Sequence, residues 1–151
     1  MTRSATELEA AQRLRGVVGR LSRLLRRTDN EAGVELTPTR VAVLLAAERL
    51  GPIRLAEIAE REGLNPTLLS RTIAYLVSDG LLERSADPED RRSAWVQATD
   101  TGHATARNIR AKRTQSLQDA IQQLDGADVA LLEAALPALE RLAEAISEEQ
   151  R

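Results

Sequence analysis

LAEIAEREGLNPTLLSRTIAYLVSDGLLER, residues 55–84, holds two short apolar-periodic stretches parted by Glu62-Gly63-Leu64-Asn65-Pro66. In the first, Leu55, Ile58 and Ala59 recur at helical spacing, which predicts a helix from Leu55 to Glu62. Gly63 supplies the permissive backbone that ends it. Asn65-Pro66 then starts a second helix, because an Asn side chain accepts from free N–H groups and Pro has no N–H to lose at the first helical position. That helix is expected from Thr67 to Asp79, with Gly80 as its stop. At 100° per residue Leu69, Ile73 and Leu76 share the inward face, Thr67, Arg71, Ala74 and Ser78 lie opposite, and Tyr75 sits at the edge. Two short helices with a tight glycine-containing turn make a helix-turn-helix.

The residues that follow add a hairpin. Leu81-Leu82-Glu83-Arg84 and Ser93-Ala94-Trp95-Val96-Gln97-Ala98 are strand-like, and DPEDRR at 87–92 consists of charged turn formers. Helices alone can serve packing or protein contacts. A hairpin with Arg91 and Arg92 at its tip adds a grip on phosphate or a narrow minor groove, so the block as a whole points to double-stranded DNA. Asp87 and Asp90 would repel a phosphate if they pointed outward, so at least one is expected to orient an arginine or cap the turn.

Outward from this block the chain reads as helix almost everywhere. Thr37-Pro38 opens a helix that runs to about Leu50, Gly51-Pro52 stops it, and Ile53-Arg54 supplies a short strand. Near the N-terminus Leu8, Ala11, Leu14, Val18, Leu21 and Leu25 form one stripe, with Thr6 and Glu9 as a capping box. Arg13, Arg15, Arg20, Arg23, Arg26 and Arg27 occupy the rest of that helix as a solvated face or as partners for acids elsewhere. Beyond the hairpin, a helix from about Asp100 carries Ile109, Leu117, Ile121 and Leu124. Another from about Ala127 carries Val129, Leu132, Leu136, Leu139, Leu142 and Ile146, with a kink or break expected at Pro137. A small winged domain cannot bury these stripes alone, so pairing with a second copy through Leu8, Leu14, Leu117, Ile121, Leu132, Leu136, Leu139 and Leu142 is expected. The fold class is mainly α (α+β): one unit over 1–151, a winged helix-turn-helix region at 36–99, and helical dimerisation regions at 5–30 and 100–148.

Composition agrees with one sizeable core, since 42% of the 151 residues are hydrophobic. The chain has no cysteine, which removes disulfides, thiolate catalysis and thiol-ligated metals. It has no apolar run long enough to span a bilayer, and it opens on polar residues, so no membrane partner and a cytoplasmic location are expected. The net charge of −2 conceals a gradient. Residues 1–30 hold seven arginines against three acids, residues 31–113 balance twelve against twelve, and residues 114–151 hold two basic side chains against eight acids. A duplex responds to the local patch it meets, so the acidic total weighs little. His103 is the single histidine, no serine sits in a nucleophile elbow and no Gly-rich phosphate loop exists, which argues against an enzyme and against a metal or cofactor.

The order of these pieces resembles the MarR family of winged-helix transcription factors. The matching residues are Leu36-Thr37-Pro38, the stretch at 55–84, DPEDRRSAWVQAT at 87–99, and Gly102 after Thr99. The resemblance implies a homodimeric DNA-binding regulator, usually a repressor on a palindromic operator and often released by a small molecule. It puts Asn65, Pro66, Thr67, Leu68, Ser70 and Arg71 near the groove. It makes Arg92 the wing contact, with Asp90 orienting it and Arg91 supporting it. Arg54 departs from the hydroxyl residue usual before the third helix, which exchanges a helix cap for a phosphate contact. Ala98 replaces a usual leucine, which would loosen packing under the wing. With no Phe, one Trp and one Tyr, an aromatic-lined effector pocket is not expected, and Trp95 is assigned to wing packing. An effector would be aliphatic or amphipathic, and its lining residues are unknown. The competing reading is a winged-helix module that binds a protein partner without specific DNA binding.

Overall fold

The computed structural model describes residues 2–29, 36–87 and 94–149. In chain order the elements are α1 (Thr2–Arg27), α2 (Pro38–Leu50), β1 (Ile53–Arg54), α3 (Leu55–Glu62), α4 (Pro66–Ser78), β2 (Leu82–Ala86), β3 (Ala94–Ala98), α5 (Asp100–Ile121) and α6 (Gly126–Glu149). The chain divides into two compact units, Met1–Thr114 and Gln115–Arg151.

In the first unit the sequence signals at the helix ends become specific bonds. The Thr37 side chain accepts from the Arg40 N–H at 3.4 Å with Pro38 in the first turn, as a capped start requires. Buried Val41, Val43, Leu44 and Ala47 of α2 meet Ile58 of α3, Leu69, Ile73 and Leu76 of α4, and Ile109 of α5 in one core. Leu82 and Val96 extend that core beneath a three-stranded antiparallel sheet of order β1-β3-β2. Its registers run from Leu82 opposite Ala98 to Ala86 opposite Ala94, and pair Ile53 with Val96. Ala98, where a leucine is usual, is itself buried.

Several boundaries differ from those read in the sequence, α4 by one residue at each end. α1 begins at Thr2, so Thr6 lies inside the helix and the Thr6/Glu9 capping box does not start it; nothing in Thr2-Arg-Ser-Ala breaks a helix. The same helix ends at Arg27, followed by a short 3-10 segment at 28–29 in which Thr28 Oγ1 donates to the Leu25 carbonyl at 2.7 Å. Leu81 precedes β2, which continues instead to Ala86, because the Leu81 N–H is spent closing α4 on the Leu76 carbonyl at 2.9 Å.

Three contacts tie α5 to the rest of this unit. At its start Thr99 Oγ1 accepts from the Gly102 N–H at 3.0 Å and donates to the Gly80 carbonyl at 2.6 Å. Farther along, Arg113 holds Asp29 in a two-pronged bond, Nε to Oδ1 and Nη2 to Oδ2, both at 2.8 Å. Between them Glu48 of α2 accepts from Arg110 Nη2 at 2.5 Å and has His103 Nδ1 at 3.6 Å. The Arg110 hydrogen bond holds the Glu48 carboxyl below the ordinary carboxylate range, against burial, which pushes it up. A carboxyl lowered in the folded chain stabilises it fully above the unfolded value near 4.5 and loses that contribution as pH falls through the folded value. The stability advantage of the wild type over Glu48→Gln should therefore shrink as pH is taken from neutral to about 3, followed by denaturant titration at each pH.

In the second unit Asp125 starts α6: its Oδ1 accepts from the Asp128 N–H and its carbonyl from the Val129 N–H, at 2.8 and 3.1 Å. Of the kink or break expected at Pro137, a break does not occur: α6 stays helical through it. A single proline removes one hydrogen bond from a 24-residue helix, which the flanking turns tolerate. None of the described residues of α6 is buried within the chain. Leu132, Leu136, Leu139 and Leu142 are exposed, as are Leu117 and Ile121 of α5; in the first unit Leu8 is exposed and Leu14 half-buried.

Candidate nucleic-acid interface

Gly63 takes the left-handed conformation, φ +61°, and turns the chain from α3 into α4 while its N–H and that of Leu64 close the α3 end on Glu60 and Ala59. Asn65 Oδ1 then accepts from the Leu68 N–H at 2.8 Å, a cap that contributes about 1 kcal/mol and fixes where α4 begins. Leu69, Ile73 and Leu76 face the core as their spacing requires. Thr72 joins them: its hydroxyl is spent on the Leu68 carbonyl at 2.8 Å, so a polar residue sits buried without an unmet bond.

This burial turns the other side of α4 to solvent. Asn65, Pro66, Thr67, Leu68, Ser70 and Arg71 are all exposed at the N-terminal end, interrupted by buried Leu69, with Ala74 and Ser78 continuing the face. Apart from Leu68 these side chains are small or polar, and Arg71 among them brings a guanidinium fork. The helix N-terminus adds a partial positive charge, so the arrangement suits phosphate and base-edge acceptors. Tyr75 is half-buried beneath the Arg40 guanidinium of α2, 3.2 Å from its ring centroid, a contact that ties the two helices together. The sequence reading missed that contact; Tyr75 at the edge of the helix was its only signal.

The wing is described up to Asp87 and again from Ala94; Asp90, Arg91 and Arg92 lie outside the described residues. Its stem is held by the β2–β3 register and by Gln97 Nε2, which donates to Glu83 Oε1. Arg54 has partners within the chain. It precedes α3 without a side-chain cap, and its Nη2 reaches Asp87 Oδ2 at 3.0 Å while the guanidinium stands 5.1 Å from the Trp95 ring centroid. Asp87 therefore does orient an arginine, but one from β1. Trp95 lies in the wing stem, as expected of a packing residue.

A cleft of about 430 Å³ lies between α1 and α2, lined by Val18, Leu21, Leu25, Ala42 and Leu45 with Arg26 at its edge. It has no aromatic wall. Among the described residues no group of His, Cys, Asp and Glu is placed to hold a metal ion, and no helix is long and apolar enough to cross a membrane.

A family model described as the MarR family matches residues 36–94, from the α2 cap to the first residue of β3. The HTH-type transcriptional regulator TcaR of Staphylococcus aureus (strain Newman) is 29% identical over 111 residues, 72% of this chain and 71% of that protein. A crystal structure from Pseudomonas aeruginosa PA01, described as that of a transcriptional regulator protein, is 34% identical. It superposes with a TM-score of 0.76 and covers 91% of this chain and 96% of its own. Streptococcus pneumoniae FabT, solved in complex with DNA, shares the fold at 14% identity and a TM-score of 0.67, over 89% of this chain and 98% of its own.

Proposed function

The chain belongs to the MarR family of winged-helix transcription regulators, and from that premise we propose that it is a homodimeric, sequence-specific DNA-binding repressor acting on a palindromic operator. Its relatives are named transcriptional regulators, so its role is regulatory and not enzymatic. The observation that carries the reading is the capped N-terminal face of α4, solvent-exposed from Asn65 to Arg71 save for Leu69. Asn65, Pro66, Thr67, Leu68, Ser70 and Arg71 meet the major groove, and Arg92, oriented by Asp90 and supported by Arg91, meets the minor groove or its phosphates. FabT, solved on DNA, supports such a use of this fold.

The exposed leucines of α5 and α6, together with Leu8 and Leu14, are covered by a second copy of the chain. Exposed apolar side chains in such number are costly in water, and a two-fold pair would set two recognition helices about one DNA turn apart. The aliphatic lining of the α1–α2 cleft favours an aliphatic or amphipathic effector over an aromatic one.

The test is binding to the DNA immediately upstream of its own gene, compared with random duplex of equal length across a salt series. The expected result is a preference for the upstream DNA, an affinity that falls steeply with salt, and weaker binding by Arg92→Ala. Equal binding to both duplexes contradicts the reading and favours a protein-interaction module.

A further inference from the structure

The residue before α3 has an unexpected partner. Arg54 leaves the α3 N-terminus uncapped and turns its guanidinium to Asp87, the last described residue before the wing tip. The Asp87 side chain is only 2% exposed, whereas that of Arg54 is 44% exposed. Trp95 of β3 lies opposite Arg54 in one register and opposite Ser85 of β2 in the other. One guanidinium, rooted in β1, thus stands over the middle strand and grips the chain just beyond the end of β2. A carboxylate this deeply buried is costly without a cation nearby, and Arg54 supplies one. Because Arg54 is continuous with Leu55, the first residue of α3, the clasp also joins the hairpin stem to the helix-turn-helix.

We propose that Arg54 is a positioning residue: through Asp87 it fixes the angle of the wing stem against the helix-turn-helix, without itself contacting DNA. This rests on the DNA-binding reading above. Buried Leu82 and Val96 seat the base of the stem on the core, β1 contributes just two residues to the sheet, and the Arg54–Asp87 pair adds a tie at the far end of β2. With its charge already matched by Asp87, Arg54 adds nothing to the number of phosphates neutralised.

The test uses the full chain with Arg54→Gln, Arg54→Lys, Asp87→Asn and the Arg54→Gln/Asp87→Asn double variant. Trp95 is the chain's single tryptophan, so its emission reports the clasp with no DNA present. Binding is then measured on duplex from upstream of the gene across a salt series, with a melting curve for each variant. The expected result is a shifted Trp95 emission in Arg54→Gln and Asp87→Asn. Each should bind about tenfold more weakly, with the double variant no weaker than either single. The salt slope should stay unchanged, and Arg54→Lys, which keeps a cation near Asp87, should recover part of the affinity. If Asp87→Asn does not fold, Arg54→Gln against Arg54→Lys carries the same comparison. Unchanged emission in both single variants overturns the clasp. A salt slope lower by about 1 in Arg54→Gln, with normal affinity in Asp87→Asn, makes Arg54 a phosphate contact and overturns the proposal while leaving the DNA reading intact. A wild type that does not prefer the upstream duplex overturns the DNA reading, and the positioning role with it.

Discussion

Gly102→Ala should cost about 3 kcal/mol of folding stability, although alanine is the better helix former by about 1 kcal/mol. A Cβ at this position would stand 1.9 Å from the Leu81 carbonyl oxygen, 3.0 Å from its carbon and 3.3 Å from the Ala98 Cβ. The first two atoms are backbone and cannot swing aside like the end of a side chain. The oxygen is further held by the Thr99 N–H at 3.1 Å, and the Thr99 hydroxyl is bonded to both Gly80 and Gly102. Relief would require α5 to lift from the segment joining α4 to β2, breaking those bonds and opening the core at Leu81 and Ala98. Overlap of more than an ångström outweighs a propensity gain of that size. Denaturant unfolding checks it: the midpoint should fall markedly, and a variant as stable as the wild type would refute the close approach.

Arg113→Ala should be nearly as damaging. Asp29 is buried and receives both prongs of the guanidinium, so truncation strands a carboxylate with no compensating charge. Breaking a buried pair in this way costs about 3–5 kcal/mol; the Arg113 side chain is 27% exposed, and solvent screening places the loss at the lower end. The pair joins the end of the N-terminal helical segment to α5, so its loss should also loosen α1. A double-mutant cycle with Asp29→Ala separates the bond from the stranded charge. The double variant should be more stable than Arg113→Ala, and additive losses would show that the two side chains act independently.

The helix-turn-helix was legible because its signals are local. Asn65-Pro66, Gly63 and the three-and-four spacing of Leu69, Ile73 and Leu76 each act within a turn or two of backbone, and α3 begins and ends where they place it. Thr99 and Gly102 were legible as a pattern, but their reason was not. That reason is a carbonyl twenty-one residues away from Gly102 in sequence, supplied only when α5 folds onto the chain entering β2. Asp29–Arg113, Glu48–Arg110, Arg40–Tyr75 and Arg54–Asp87 were likewise hidden. Each takes one arginine from a chain rich in them, and only the packing of separate elements selects which arginine meets which partner. The N-terminal capping box failed for the opposite reason, and so did a full break at Pro137: a local signal was present, but the surrounding helix was long enough to continue through it.

The stem of the wing gives Arg54 partners that its place in the sequence does not disclose. An arginine at the start of α3 beside a charged hairpin reads as a phosphate contact in one dimension. In three dimensions the sheet order β1-β3-β2 brings the same residue to Asp87 and Trp95, and its charge is met within the chain.

The central claim, that two copies of this chain present paired recognition helices to adjacent major grooves, is tested most directly by a hydroxyl-radical footprint on the DNA upstream of its gene. The account predicts two protected segments related by two-fold symmetry, with centres about one helical turn, roughly 34–36 Å, apart. Protection of a single asymmetric segment, or none at concentrations where the chain is a dimer, would contradict it.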